Sequence, residues 1–128
     1  MAKIKILLID DEEDLVLLMT KKLESEGYDV MSASNGEEGI TKAKADKPDL
    51  VICDLKMPVK DGFEVLKELR QKKNINAPFI MLTGMDDFDK VKKAYENEAD
   101  FYVPKAIDPD KLIAKIRTLL NISKNRIW

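Results

Sequence analysis

Residues 50–62 read LVICDLKMPVKDG, and this stretch decides the architecture of the chain. The apolar, branched run before Asp54 has the composition of a strand buried on both faces of a sheet. A Met-Pro turn follows, and Asp61 then precedes Glu64 by three residues, the spacing of a capping box at a helix start. A strand that passes through a short turn into a helix is the repeating unit of a parallel α/β sheet.

The same unit recurs along the whole chain. Runs rich in branched or aromatic residues predict five strands, at residues 4–9, 28–33, 50–53, 79–82 and 101–103. Apolar residues at helical spacing follow each strand, including Phe88, Val91 and Tyr95 after the fourth. Two further helix starts are predicted by the pairs Ser34 with Glu37 and Asp108 with Pro109. We therefore expect an α/β fold, a doubly wound parallel sheet with helices on both faces.

Composition limits the classes of protein to consider. The chain has 128 residues, enough for one domain, which we assign to residues 1–122 with a tail at 123–128. A net charge of −2 and a pI near 5.3 argue against direct binding of nucleic acid. No apolar run approaches the about 20 residues that cross a bilayer, and no signal peptide is evident. The single cysteine, Cys53, permits no internal disulfide, so we expect a soluble, cytoplasmic protein.

Polar residues follow four of the predicted strands. Asp10 and Asp11 follow the first strand, Asp54 the third, Thr83 the fourth, and Lys105 lies just beyond the fifth. Because the carboxyl ends of parallel strands share one edge of the sheet, these side chains should converge in one crevice. Clustered carboxylates repel each other unless a divalent cation lies between them, and Mg²⁺ prefers carboxylates, water and phosphate oxygens. The pattern predicts a site for Mg²⁺ and a phosphoryl group together.

Each of these residues alone has a simpler structural explanation. Acids such as Asp10 and Asp11 suit the positive N-terminus of a helix, Asp54 could be a turn residue, and Thr83 could simply end its strand. Their joint occurrence at four strand ends favours the functional interpretation. Cys53 is interpreted as a small buried hydrophobe rather than a redox sensor.

The segment from Asp54 to Gly62 resembles the receiver domain of two-component response regulators. The resemblance extends to the paired acids after the first strand, to Thr83 after Ile-Met-Leu, and to Lys105 after strand five. It implies the flavodoxin-like sheet order 2-1-3-4-5. It also implies that the protein is not an enzyme acting on other substrates and catalyses only its own phosphorylation and dephosphorylation.

The resemblance assigns a role to each site residue. Asp54 would be the phosphoacceptor, forming an acyl phosphate. Asp11 and Asp54 would bind Mg²⁺ directly with the backbone carbonyl of Lys56, and Asp10 would act mainly through water. The other two catalytic residues, which would contact the phosphoryl oxygens, are Thr83 and Lys105.

Partners and output are implied in the same way. The chain has no histidine, so the phosphohistidine that donates the group must belong to a sensor histidine kinase or a phosphotransfer protein. Tyr102 aligns with the switch aromatic of the family and would respond to Thr83. The surface of the fourth helix, fifth strand and last helix would then bind a downstream effector or a C-terminal output domain, as a monomer or a phosphorylation-dependent dimer.

Two departures from the family leave alternatives open. Proline, in a cis peptide, commonly follows the lysine, whereas this chain has Ala106 there and Pro104 before Lys105; we predict a trans Lys105-Ala106 peptide and an altered loop. Glu98 stands where glycine is frequent. A degenerate receiver that only binds partners is one alternative. A Mg²⁺-dependent aspartyl phosphohydrolase is another, but it would want a second acid where Lys56 stands.

Overall fold

The computed structural model describes residues 3–84 and 99–124, and of residues 123 and 124 the backbone alone. Its strands are β1 Lys5–Ile9, β2 Asp29–Ala33, β3 Leu50–Asp54, β4 Phe79–Thr83 and β5 Phe101–Pro104. Its helices are α1 Glu13–Ser25, α2 Gly36–Asp46, α3 Gly62–Lys67, which continues as a π-helical segment Glu68–Lys72, and a C-terminal helix Pro109–Lys124.

All neighbouring strands pair in parallel, in the order β2-β1-β3-β4-β5. The doubly wound fold and the sheet order are therefore confirmed. The predicted helix over Phe88, Val91 and Tyr95 lies outside the described residues, and so does Glu98. The division between residues 1–122 and a tail stays a prediction, because 125–128 also lie outside them.

The core consists of two apolar layers, one on each face of the sheet. Alternate residues of β1 show the division: Leu7 and Ile9 face one layer, and Ile6 and Leu8 face the other. Every residue of β3 and β4 is buried, which explains why these strands read as continuous apolar runs. Cys53 is fully buried, and burial raises the pKa of its thiol, as expected of a structural cysteine. With both faces covered, functional side chains are left to the strand ends.

The start of α3 agrees with the sequence prediction, and the start of α2 differs from it by one residue. The capping box of α3 is present. The Asp61 carboxylate accepts a hydrogen bond from the Glu64 N–H at 2.9 Å, and the Asp61 N–H donates one to the Glu64 carboxylate at 3.1 Å. The predicted start at Ser34 is wrong by one residue, because Asn35 caps α2 by accepting from the Glu38 N–H at 2.8 Å. Asparagine is at least as good a cap as serine, so Ser34 is left outside the helix.

The loop after β5 follows the predicted trans path. No peptide bond in the described part of the chain is cis, so the Lys105-Ala106 peptide is trans. The Lys105 N–H donates to the Thr83 carbonyl at 2.9 Å, which continues the pairing of β4 with β5. Pro104 is tolerated because β5 is an edge strand and needs no donor on its outer side. Among the helices described, none combines the length and apolar character that a membrane crossing requires.

Candidate functional site

The carboxyl edge of the sheet brings the predicted residues together. Asp54 ends β3 and Thr83 ends β4, while Asp10 directly follows β1 and Lys105 directly follows β5. The Lys105 Nζ lies 3.0 Å from Asp54 Oδ2 and 3.5 Å from Asp10 Oδ2. Four residues separated by up to 95 positions therefore occupy one crevice, as strand-end convergence requires.

Two of these carboxylates are buried together. Asp10 and Asp54 are each 2 % exposed. One oxygen of Asp10, Oδ1, accepts the Glu12 N–H at 2.9 Å, but Oδ2 has no hydrogen-bond partner. Burial, with the nearby charge of Asp54, raises the pKa of Asp10 to about 6. Burial also raises the pKa of Asp54, although the hydrogen bond from Lys105 opposes that shift.

Lys105 supplies the compensating positive charge. Burial alone would lower the pKa of its ammonium, but its hydrogen bonds to Glu12 and Asp54 and the charge of Asp10 raise that pKa above its ordinary value. The ammonium therefore stays protonated at neutral pH. This cation beside Asp54 lowers the pKa of that carboxyl against the effect of burial and so favours its ionised state, in which it is a nucleophile.

Glu12 is the site residue that sequence reasoning missed. Its Oε1 lies 2.5 Å from Lys105 Nζ, and carboxylate oxygens of Glu12, Asp10 and Asp54 all lie within 4.8 Å of one another. Asp11, the predicted direct ligand, is exposed and is not in this group, although its charge raises the pKa of Asp54 and it therefore lies nearby. The sequence held no signal to separate them, because consecutive acids all suit a helix start.

The remaining predicted residues surround this group. The Lys56 backbone donates a hydrogen bond that lowers the pKa of Asp54, and the Lys56 side chain is exposed. The Thr83 hydroxyl is fully buried and donates to the Val103 carbonyl at 3.4 Å. Tyr102 is turned into the core, where its hydroxyl accepts the Ala99 N–H at 3.3 Å and its ring lies 6.4 Å from that of Phe63.

Comparison with known proteins agrees with this geometry. Residues 6–117 match the family described as the response regulator receiver domain. The chain belongs to this family. As a receiver domain, it fits a phosphoacceptor role in two-component signalling.

Two curated relatives illustrate the match. The receiver is 46% identical over 121 residues to the alkaline phosphatase synthesis transcriptional regulatory protein PhoP of Bacillus subtilis, an alignment that covers 94% of the receiver and 50% of PhoP. It is 40% identical over 120 residues to the transcriptional regulatory protein CpxR of Klebsiella pneumoniae, covering 93% and 50%. The chain thus spans about half the length of these relatives.

Solved structures share the whole fold. A receiver domain from Clostridium thermocellum superposes with a TM-score of 0.86 at 32% identity, covering 94% of this chain and 97% of the other. A CheY-like receiver from Methanospirillum hungatei gives 0.86 at 28% identity, covering 96% and 98%. Both structures match this chain over nearly its whole length.

The loop of the receiver between β3 and α3 is held from both sides. At Gly62, the N–H donates to the Leu55 carbonyl at 2.8 Å, and a Cβ there would lie 2.7 Å from the Asp54 carbonyl oxygen. On the outer side, Lys60 Nζ contacts Glu37 at 2.7 Å and Glu68 at 2.8 Å. The close packing and hydrogen bond at Gly62 and the ion pairs of Lys60 therefore both hold the loop that follows Asp54.

The acidic group fits a metal ion. Asp10 Oδ2 is a buried oxygen without a hydrogen-bond partner, and such an oxygen is costly unless a cation or water satisfies it. Three carboxylates within 4.8 Å of one another offer the hard oxygen donors that small divalent cations prefer. The receiver therefore has an acidic cluster compatible with a metal site.

Proposed function

We propose that this chain is a phosphoacceptor that takes a phosphoryl group onto Asp54 from the phosphohistidine of a sensor kinase or phosphotransfer protein. One observation carries the proposal: the buried Asp54 carboxylate lies 3.0 Å from the Lys105 ammonium in an acidic crevice at the sheet edge. A nucleophile and a phosphate-binding cation are thereby placed side by side.

Mg²⁺ is the proposed cofactor. The residues that would hold it are Asp10, Asp11 and Asp54, with the backbone carbonyl of Lys56. When bound, the ion would neutralise negative charge on the carboxylates and on the phosphoryl oxygens. Asp10 Oδ2 would then acquire the partner that it otherwise lacks.

The chain's own residues carry the transfer. An Asp54 carboxylate oxygen forms a bond to phosphorus as the bond from phosphorus to the donor's histidine nitrogen breaks. Lys105 pairs with one phosphoryl oxygen. Thr83 gives up its weak 3.4 Å hydrogen bond to the Val103 carbonyl and donates to a second phosphoryl oxygen. Water later attacks phosphorus, releasing phosphate and regenerating Asp54. The only reactions catalysed are the protein's own phosphorylation and dephosphorylation.

Output is proposed to be altered partner binding. Movement of Thr83 would be sensed at Tyr102, and the surface of the fourth helix, β5 and the C-terminal helix would change its affinity for an effector or output domain. The named relatives are transcriptional regulators, which supports an output domain as one such partner. We propose that phosphoryl transfer and partner binding take place in the cytoplasm, where the buried thiol of Cys53 would stay reduced. Both a monomer and a phosphorylation-dependent dimer fit this scheme.

Intact-mass measurement tests the proposal. The protein is incubated with Mg²⁺ and acetyl phosphate, beside an Asp54→Ala variant and an Asp46→Ala control that removes an exposed acid at the end of α2. Wild type and control should gain about 80 Da, the mass of one phosphoryl group, in an alkali-labile form, and Asp54→Ala should not.

The outcomes separate the alternatives. A gain that persists in Asp54→Ala would place the acceptor elsewhere and contradict the proposal. Absence of both the gain and Mg²⁺ binding would identify a degenerate receiver that acts as a binding scaffold. Release of many equivalents of phosphate from simple phosphomonoesters would identify a phosphohydrolase, although Lys56 occupies the position where such an enzyme needs its second acid.

A further inference from the structure

The side chain of Glu12 contacts Lys105, the cation that would bind a phosphoryl group. Lys105 Nζ lies 2.5 Å from Glu12 Oε1, a shorter distance than the 3.0 Å to Asp54 and the 3.5 Å to Asp10. An ammonium has three N–H donors, and three carboxylates surround this one. Lys105 donates hydrogen bonds to Glu12 and Asp54, while Asp10 Oδ2 lies near it as a charge without accepting one, so the contact with Glu12 is the shortest that the ammonium makes to a carboxylate.

Glu12 makes this contact instead of capping its own helix. It occupies the N-cap position of α1, yet its side chain accepts no capping hydrogen bond. Asp10 Oδ1 accepts the Glu12 N–H, so the backbone here is fixed by the neighbouring acid. The Glu12 side chain is 60% exposed, and its only ion-pair partner in the described part of the chain is Lys105. Replacing its carboxylate should thus leave the fold intact.

Resting on the function proposed above, we propose that Glu12 competes with the phosphoryl group for Lys105. When Asp54 is phosphorylated, its carboxylate oxygen is bonded to phosphorus and its ion pair with Lys105 is lost, whereas Glu12 keeps both its charge and its contact. The phosphoryl oxygens then compete with Glu12 for the ammonium, because the short contact with Glu12 holds Lys105 toward that carboxylate. Glu12 is a positioning residue in this scheme: it acts through Lys105 and lowers the affinity of the site for a phosphoryl group.

Beryllofluoride is a tetrahedral phosphoryl mimic that attaches to carboxylates. Its binding measures the affinity of the site for a phosphoryl group separately from the rates of phosphoryl transfer and hydrolysis. The dissociation constant is measured by ¹⁹F NMR at saturating Mg²⁺, with the Mg²⁺ affinity of each variant determined first. We expect Glu12→Gln to bind beryllofluoride about fivefold more tightly than wild type, the upper range for an exposed ion pair. Glu13→Gln is the matched control, because it removes an exposed acid from the same helix start without touching Lys105.

A double-mutant cycle tests whether Glu12 acts through Lys105. In a Lys105→Met background, Glu12→Gln should change beryllofluoride affinity less than twofold. An equal gain in both backgrounds would show that Glu12 acts only as a bare charge and would overturn the inference. So would an unchanged or weaker affinity in Glu12→Gln alone, which is the result expected if Glu12 serves the metal ion instead.

The test also separates this inference from the proposed function. If wild type fails to bind beryllofluoride with Mg²⁺ present, or if Asp54→Ala binds it equally well, the function itself is refuted. If wild type binds through Asp54 and Glu12→Gln matches it, only the role of Glu12 is refuted. Raising the salt concentration should shrink the difference between the two proteins, because the Glu12 carboxylate is largely exposed.

Discussion

The two strand-to-helix loops at residues 10–13 and 54–62 use their acidic side chains differently. In the second loop, Asp61 and Glu64 exchange hydrogen bonds in a complete capping box. In the first loop, the N-cap residue Glu12 makes no capping bond, and its carboxylate goes to Lys105 instead. The difference shows which acids serve a helix and which serve the site.

The first loop keeps this arrangement at a cost in stability. Asp10 is buried beside Asp54, and one of its oxygens has no hydrogen-bond partner. Such strained or unsatisfied groups persist in proteins where function needs them. The comparison therefore predicts that substitutions in the first loop can stabilise the protein, whereas substitutions in the second loop should destabilise it.

The largest effect is expected at Gly62, where the second loop supports the site. A Cβ in Gly62→Ala would lie 2.5 Å from Met81 Sδ and 2.7 Å from the Asp54 carbonyl oxygen. Because the oxygen belongs to the buried backbone, we expect a loss of about 3 kcal/mol or more in unfolding free energy. Urea denaturation measures this loss, with Gly84→Ala as the control because no atom of the described residues lies within 4 Å of a Cβ there. Equal stability of the two variants would contradict this account of the loop.

A gain in stability is expected from Asp10→Asn in the absence of divalent cations. The folded-state pKa of Asp10 is raised from 3.8 to about 6, so its ionisation opposes folding at neutral pH by about 2 to 3 kcal/mol. The amide keeps an acceptor for the Glu12 N–H and removes the buried charge. Chemical denaturation at pH 7 should show most of that gain, and Asp11→Asn, at an exposed position, should show almost none.

The pH dependence of that gain has a definite sign. Because the pKa of Asp10 is higher in the folded state, its contribution to stability is fully present below pH 3.8 and is lost as pH rises through about 6. The difference between Asp10→Asn and wild type should therefore grow from pH 4 to pH 6 and then level off. Saturating Mg²⁺ should stabilise wild type more than the variant and narrow the gap. A gap independent of pH would mean that burial of this charge costs nothing.

The smallest effect contrasts the two caps directly. Asp61→Ala removes the capping bond that the Asp61 side chain accepts from the Glu64 N–H and should cost about 1 kcal/mol. Glu12→Ala, at the equivalent position of α1, removes no capping bond and should change stability by less than about 0.5 kcal/mol. Thermal denaturation of the pair measures the difference. Equal losses would show that Glu12 supports its helix after all.

Much of the fold could be predicted because its signals are local. Apolar runs of three to six residues located every strand to within one residue at either end, since strand burial imposes that pattern directly. The start of α2 could not be placed to the residue, because Ser34 and its neighbour Asn35 are both good caps and local sequence does not rank them. The π-helical segment at Glu68–Lys72 had no local signal either.

By itself, the sequence determined that Asp10, Asp54, Thr83 and Lys105 would meet, because parallel strands carry their carboxyl ends to one edge. Only the tertiary structure decided which of the neighbouring acids contacts Lys105: Glu12 does and lies in the group with Asp10 and Asp54, whereas Asp11 is not in that group. The physical reason is that all acids at a helix start gain equally from the helix dipole. What separates them is the position of a lysine 93 residues away, which no local pattern contains.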